Sequence, residues 1–251
     1  MTTSNVAPAI AVRGLRKSFG DLEVLKGLDL TVPAGCVYAL LGVNGAGKTT
    51  TVSILTTLWT PDAGQASVAG FDVVREGARV REAIAVTGQN VTVDTVLTGL
   101  ENLVLIARLR HVPHPVDVAR RLLDRFGLTE AAGKPTGTYS GGMKRRLDIA
   151  MSLIGSPSVI FLDEPTTGLD PAGRREVWSA VDELAAAGVS ILLTTQYMDE
   201  AARLAHTIGV LHDGVIAVEG DEKTILDAAG EADLESAFLT LTASNPGNDK
   251  E

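Results

Sequence analysis

The feature that most constrains this chain is the loop Gly42-Val43-Asn44-Gly45-Ala46-Gly47-Lys48-Thr49. It lies between an apolar run, Cys36 to Leu41, and a segment of helical character from Gly47 to Leu58. Gly-x-x-x-x-Gly-Lys-Thr between a strand and a helix is the context in which such a loop cradles phosphates. Gly42, Gly45 and Gly47 let the backbone turn tightly and aim its N–H groups inward, and with the positive end of the helix they form an anion site. Lys48 neutralises outer phosphates, and the Thr49 hydroxyl is an oxygen ligand for Mg²⁺. The loop therefore predicts binding and hydrolysis of a nucleoside triphosphate with magnesium. Asn44, Gly45, Ala46, Gly47, Lys48, Thr49 and Thr50 are the candidate binding residues.

The loop also constrains the fold. Cys36 to Leu41 is nearly all apolar, as in a central strand covered on both faces. Strand signals precede it at Ile10 to Val12 and Leu22 to Val32, and come after it at Gln65 to Val68, Ala83 to Val86, Val159 to Leu162 and Val189 to Thr194. Ile208 to Leu211 and Val215 to Val218, joined by His212-Asp213-Gly214, read as a hairpin. Helical stretches run from Thr98 to Arg110, Val116 to Phe126, Gly141 to Ile154 and Pro171 to Ala187, the last with proline at its start and Gly188 past its end. The alternation predicts an α/β fold, interrupted by a helical subdomain over residues 98–154. The 251 residues, 45% of them hydrophobic, suffice for a sizeable core. The polar end, Asn245 to Glu251, reads as a disordered tail.

Charge and composition exclude several classes. A net charge of −9 argues against unspecific nucleic-acid binding, which needs a basic surface. The single cysteine, Cys36, permits no internal disulfide and reads as a small buried apolar residue. No run approaches the ~18–20 apolar residues that span a bilayer; at a membrane, another chain must hold this one. His111, His114, His206 and His212 are scattered without metal-ligand spacing.

Two further motifs carry chemistry. Val159-Ile160-Phe161-Leu162 ends in Asp163-Glu164, which places two acids at the carboxyl edge of a buried strand, where ligands bind in open α/β sheets. Asp163 can support a magnesium shell, and Glu164 can orient or deprotonate an attacking water. Tyr139-Ser140-Gly141-Gly142-Met143-Lys144 opens a helix, with Ser140 as N-cap and two glycines leaving N–H groups open at its positive end. Chemically this is a second phosphate site, although the first loop already cradles the phosphates. Two readings stand open: it serves a nucleotide held by a second chain, or it is a helix cap with Lys144, Arg145 and Arg146 on a solvated face.

Ser140-Gly141-Gly142 upstream of Asp163-Glu164-Pro165, with the phosphate loop before both, resembles the ATP-binding-cassette (ABC) ATPases from about Ile10 to Thr242. The resemblance implies an ABC-type fold: a RecA-like core, an N-terminal antiparallel β region and the inserted helical subdomain. The cassette would span residues 8–220, with a helical extension at 221–244 and the tail at 245–251. It further implies that Gln89 reaches metal and water and senses a transmembrane partner. Ser140, Gly141 and Gly142 would cap the γ-phosphate of the ATP on an opposite subunit. Asp163 would be a metal residue with Thr49 and Gln89, and Glu164 the catalytic base. Gly168-Leu169-Asp170 would cross a dimer interface, and Phe19 would stack on adenine, unless it is a plain core aromatic.

Two positions depart from the family pattern. Val43 replaces the usual proline, and Gln196 replaces the switch histidine. A glutamine amide can still hydrogen-bond a phosphate oxygen but cannot carry charge. Thr194-Thr195-Gln196-Tyr197-Met198-Asp199-Glu200-Ala201, Leu97-Thr98-Gly99-Leu100-Glu101-Asn102-Leu103 and Asp233-Leu234-Glu235-Ser236-Ala237-Phe238 resemble the branch that includes daunorubicin-resistance-type exporter ATPases. The resemblance implies a pair of cassettes (a homodimer or a paired cassette) sandwiching two ATP·Mg²⁺ on the cytoplasmic face of a membrane. They would drive a separate permease that exports a drug, antibiotic or other hydrophobic compound, and no nucleic-acid partner is expected. The alternative is a soluble cassette acting on nucleic acid, ribosomes or cluster assembly. A GTPase reading lacks an Asn-Lys-x-Asp base-reading motif.

Overall fold

The structure is a computed structural model that describes residues 7–88 and 92–243. Its centre is β3 (Val37–Leu41), in which every residue is buried. β7 (Val159–Asp163) and β8 (Ser190–Thr195) are likewise buried throughout. With β6 (Ile84–Thr87), β9 (Thr207–His212) and β10 (Val215–Gly220) they form a six-stranded sheet of order β10-β9-β3-β8-β7-β6. All neighbours pair parallel except β9 and β10, which form the expected hairpin around Asp213 (φ 46°) and Gly214 (φ 79°).

A second, antiparallel sheet of order β2-β1-β4-β5 covers one face; its strands are β1 (Ile10–Phe19), β2 (Leu22–Val32), β4 (Ala63–Val68) and β5 (Phe71–Asp72). Because side chains alternate along a strand, β3 supplies both cores. Tyr38 and Leu40 pack with Leu25, Leu28, Ile54 and Leu55 under the second sheet, whereas Val37, Ala39 and Leu41 join the helix-covered core.

The helices are α1 (Lys48–Leu55), α2 (Gly77–Ala83), α3 (Gly99–Leu109), α4 (Pro115–Arg125), α5 (Gly141–Ser152), α6 (Pro171–Ala186), α7 (Met198–Leu204), α8 (Glu222–Ala229) and α9 (Leu234–Thr242). Local chemistry explains several boundaries. Thr98 and Glu101 form a reciprocal capping box at α3. Ser140 caps α5 by accepting from the Met143 N–H at 3.2 Å, and Asp170 caps α6 by accepting from the Gly173 N–H at 2.8 Å.

Several sequence expectations change. The helix expected to reach Leu58 ends at Leu55, where the Leu58 and Trp59 N–H groups turn back onto the Ser53 carbonyl. The first strand extends to Phe19 because pairing with β2 and β4 sustains it beyond its apolar start. Short α2 and α7 escaped the periodicity reading, since seven residues give too few turns for a pattern. Cys36 is only half-buried rather than buried. The expected tail at 245–251 lies outside the described residues.

Candidate nucleotide site

The site is assembled by register. Leu41 pairs with Thr195 and Asp163 pairs with Thr194, so β3, β8 and β7 end on one line. The chain leaving each strand therefore meets its neighbours: the loop from Gly42, the segment from Gln196, and Glu164. The Gly42 N–H donates to the Thr195 carbonyl at 3.1 Å, which ties loop to segment.

Glycine is required where the loop closes. Gly47 lies at φ 112°, and a Cβ there would stand 2.8 Å from Leu25 Cδ2; a Cβ at Gly42 would stand 2.8 Å from the Leu211 carbonyl oxygen. Lys48, 4% exposed, folds back to donate to the carbonyls of Gly42 (2.8 Å) and Val43 (3.1 Å). Its Nζ also lies 3.5 Å from Glu164 Oε1. Burial holds the Lys48 pKa below the ordinary lysine range, against the opposing pull of Glu164 and Asp163. An ammonium so poorly solvated can form strong charge-assisted hydrogen bonds to an anion such as phosphate, in competition with Glu164. Asn44, Gly45 and Thr49 are exposed, while Ala46 and Thr50 are buried.

The acids are held firmly. Asp163 Oδ1 accepts from the Thr194 hydroxyl at 2.5 Å. The Glu164 N–H donates to both the carbonyl and the hydroxyl oxygen of Thr194, each at 3.1 Å, and Thr167 Oγ1 donates to Glu164 Oε2 at 3.2 Å. Glu164 adopts φ 47°, a left-handed conformation costing a non-glycine residue about 1–2 kcal/mol. That turn separates Glu164 from the strand direction of Asp163 and brings its carboxylate to Lys48. Thr49 and Asp163 offer a hydroxyl and a carboxylate oxygen, the hard donors magnesium prefers. Among the described residues no cluster of three His, Cys, Asp or Glu could hold a metal. Gln196 is half-buried directly after β8. Gln89 lies outside the described residues.

Two predicted binding elements stand apart. Ser140 and Gly141 are exposed at the start of α5. A Cβ at Gly141 would stand 3.0 Å from Leu169 Cδ2, and one at Gly142 would stand 3.0 Å from Gly173 Cα and 2.8 Å from Glu176 Oε2. Their neighbours are thus Leu169, Gly173 and Glu176, not the phosphate loop. Phe19, at the end of β1, is 43% exposed and hence no core aromatic. Its ring meets Trp59 edge to face at 5.0 Å, with Lys17 Nζ 5.6 Å from its centroid.

The solvated face suggested for Lys144, Arg145 and Arg146 is wrong for Arg145, which is 3% exposed. Its guanidinium donates to the carbonyls of Gly88 (2.7 Å), Asp163 (3.3 Å) and Pro165 (2.9 Å), and pairs with Asp148 at 3.2 Å. Thr92 Oγ1 donates to Asp148 at 2.7 Å. Sequence reasoning missed this staple, and Trp59 with it. A hint lay in Asp148, three residues after Arg145 and so on the same helix face.

Residues 25–167 match the family described as ABC transporter. The chain is 47% identical to a daunorubicin resistance ATP-binding protein of Streptomyces coeruleorubidus, over 96% of this chain and 81% of that one. A daunorubicin/doxorubicin resistance ATP-binding protein of Streptomyces peucetius is 49% identical, with 88% and 68% covered. A Nod factor export ATP-binding protein of Burkholderia lata is 41% identical, with 89% and 74% covered. A solved ATP-binding subunit of an ABC transporter superposes with a TM-score of 0.80 at 27% identity, covering 93% of this chain and 99% of that one. No helix among the described residues is long and apolar enough to cross a membrane. A phosphate loop closed against two strand-end acids, within this fold and at this identity, makes the chain a member of the ABC transporter family of ATP-binding proteins.

Proposed function

We propose that the chain is the ATP-hydrolysing subunit of an ABC exporter for a drug, antibiotic or other hydrophobic compound. It works on the cytoplasmic face of the membrane through a separate permease. The observation that carries the chemistry is Lys48 within 3.5 Å of Glu164 beneath a glycine loop tied to Thr195. The transport reading rests on identity of 47–49%, over most of the chain, to daunorubicin and doxorubicin resistance ATP-binding proteins.

In this reading the N–H groups of Asn44 to Thr50 and the Lys48 ammonium hold the β- and γ-phosphates, and Phe19 stacks on adenine. Thr49 and Asp163, with Gln89, hold Mg²⁺, which would neutralise charge developing on the phosphates. Glu164 accepts the proton of the attacking water, and the Gln196 amide hydrogen-bonds the γ-phosphate. Ser140, Gly141 and Gly142 serve the nucleotide of a second copy, so two chains sandwich two ATP. Residues 8–220 form the cassette, with 98–154 as its helical subdomain and 221–244 as an extension.

Reconstitution tests this. The chain purified with an integral-membrane partner should drive ATP-dependent uptake of a hydrophobic drug into inside-out vesicles, and Glu164→Gln should abolish it. A chain that hydrolyses ATP yet needs no membrane protein, and is stimulated by nucleic acid or ribosomes, would favour the soluble alternative.

A further inference from the structure

The residue at the switch position is a glutamine, and an amide makes heavier positional demands than a charged ring. Its hydrogen bond is directional and weakens steeply as the angle falls. The backbone is hydrogen-bonded on both sides of Gln196. Before it, the Thr195 carbonyl accepts from the Gly42 N–H at 3.1 Å. Across it, the Tyr197 N–H donates to Thr195 Oγ1 at 2.9 Å, a tight side-chain-closed turn.

Beyond it, α6 grips the chain. Arg174 donates to both carboxylate oxygens of Asp199 at 2.8 Å. Its guanidinium carbon lies 4.8 Å from the Tyr197 ring centroid and 5.2 Å from that of Trp178, one helical turn further along α6. Glu200 is wholly buried, and its Oε1 accepts from the Trp178 indole at 3.2 Å and from the Thr166 hydroxyl at 2.8 Å. Thr166 stands two residues after Glu164. A carboxyl removed from water and met by uncharged donors stabilises the fold little, and burial raises its pKa. The cluster's contribution is geometric: it connects the segment after Gln196 to the one after Glu164.

We infer that Arg174, Trp178 and Glu200 form a positioning clamp that holds the Gln196 amide in line with Glu164. The inference rests on the proposed roles of Gln196 and Glu164. None of the three touches nucleotide; each acts through the segment Gln196 to Glu200. Because α6 begins directly after Gly168-Leu169-Asp170, the same clamp ties that segment to the switch position.

A double-mutant cycle on the full chain, in the assembly that hydrolyses ATP, tests it. Arg174→Ala should lower kcat about tenfold with KM and ATP affinity within about twofold. Gln196→Ala should lower kcat at least as much, and the double variant should be no slower than Gln196→Ala alone. Glu200→Gln, which keeps the acceptor for Trp178 and Thr166, should retain near-full activity, whereas Glu200→Leu should resemble Arg174→Ala. Should Arg174→Ala fail to fold, Arg174→Lys replaces it, keeping the charge but losing the planar stacking. If Gln196→Ala slows turnover and the losses multiply in the double variant, the clamp is refuted while the role of Gln196 stands. If Gln196→Ala leaves kcat unchanged, the assigned role of Gln196 falls and the clamp falls with it.

Discussion

The starts of α1 and α5 have the same sequence chemistry: glycines, a hydroxyl residue and a lysine at the positive end of a helix. Their surroundings differ. The start of α1 lies behind a buried strand, its lysine 4% exposed and within reach of a carboxylate. The start of α5 presents Ser140 and Gly141 to solvent, while its buried cation, Arg145, points back into its own chain. One helix start thus has a buried lysine beneath its loop. The other leaves Ser140 and Gly141 in solvent, with Lys144 half-buried and only Arg145 committed to structure. A glycine-rich helix start becomes an enclosed anion site only when the fold supplies walls as well as a cation, and the α5 start, open to solvent at Ser140 and Gly141, has Lys144 but lacks the walls.

Substitutions can pull the two helix starts apart. The largest effect belongs to Glu164→Gln, which keeps shape and hydrogen bonding but removes the base. Turnover should fall by about 10²–10⁴, while equilibrium ATP binding stays intact; normal turnover would remove Glu164 as the base. Next, Lys48→Ala should weaken ATP binding by about 100-fold, since it deletes a buried charged donor worth roughly 1.5–3 kcal/mol to an anion. Normal affinity there would mean that the α1 cradle is not the binding half. Gly142→Ala should act oppositely. Its Cβ would crowd Gly173 and Glu176 on α6, so turnover should drop about tenfold while the isolated chain binds ATP as before. A loss of binding instead would erase the distinction between the two helix starts. The smallest effect is a null one. The pH–rate profile should contain no limb belonging to position 196 near the unperturbed imidazole pKa of about 6.5. A limb that disappears in Gln196→Ala, yet survives replacement of His111, His114, His206 and His212, would contradict it.

The α1 half was legible in the sequence because every requirement is local. An apolar strand, a glycine loop and a helix occupy consecutive residues, and Asp163-Glu164 repeats the strand-end logic. The parallel sheet could be inferred from β3, β7 and β8 being apolar on both faces. Features that stayed hidden depend on contacts distant in sequence. Arg145 reads as one of three basic surface residues until the carbonyls of Gly88 and Pro165 converge on it. Trp59 becomes meaningful only when β1 brings Phe19 to it. Arg174 and Trp178 look like an ordinary helix face until α7 places Tyr197, Asp199 and Glu200 against them. The left-handed turn at Glu164, which takes it off the strand direction of Asp163, has no signature in residue type at all.

If the two helix starts are complementary halves, hydrolysis joins the α1 start of one chain to the α5 start of another. Mixing two disabled chains puts this to the test. Lys48→Ala and Ser140→Arg should each be inactive alone. Their mixture contains pairs in which an intact phosphate loop faces an intact Ser140-Gly141-Gly142, so ATPase activity should rise well above the sum of the separate chains. A mixture no more active than its components, at concentrations where the two chains demonstrably pair, would show that the halves do not complete one another.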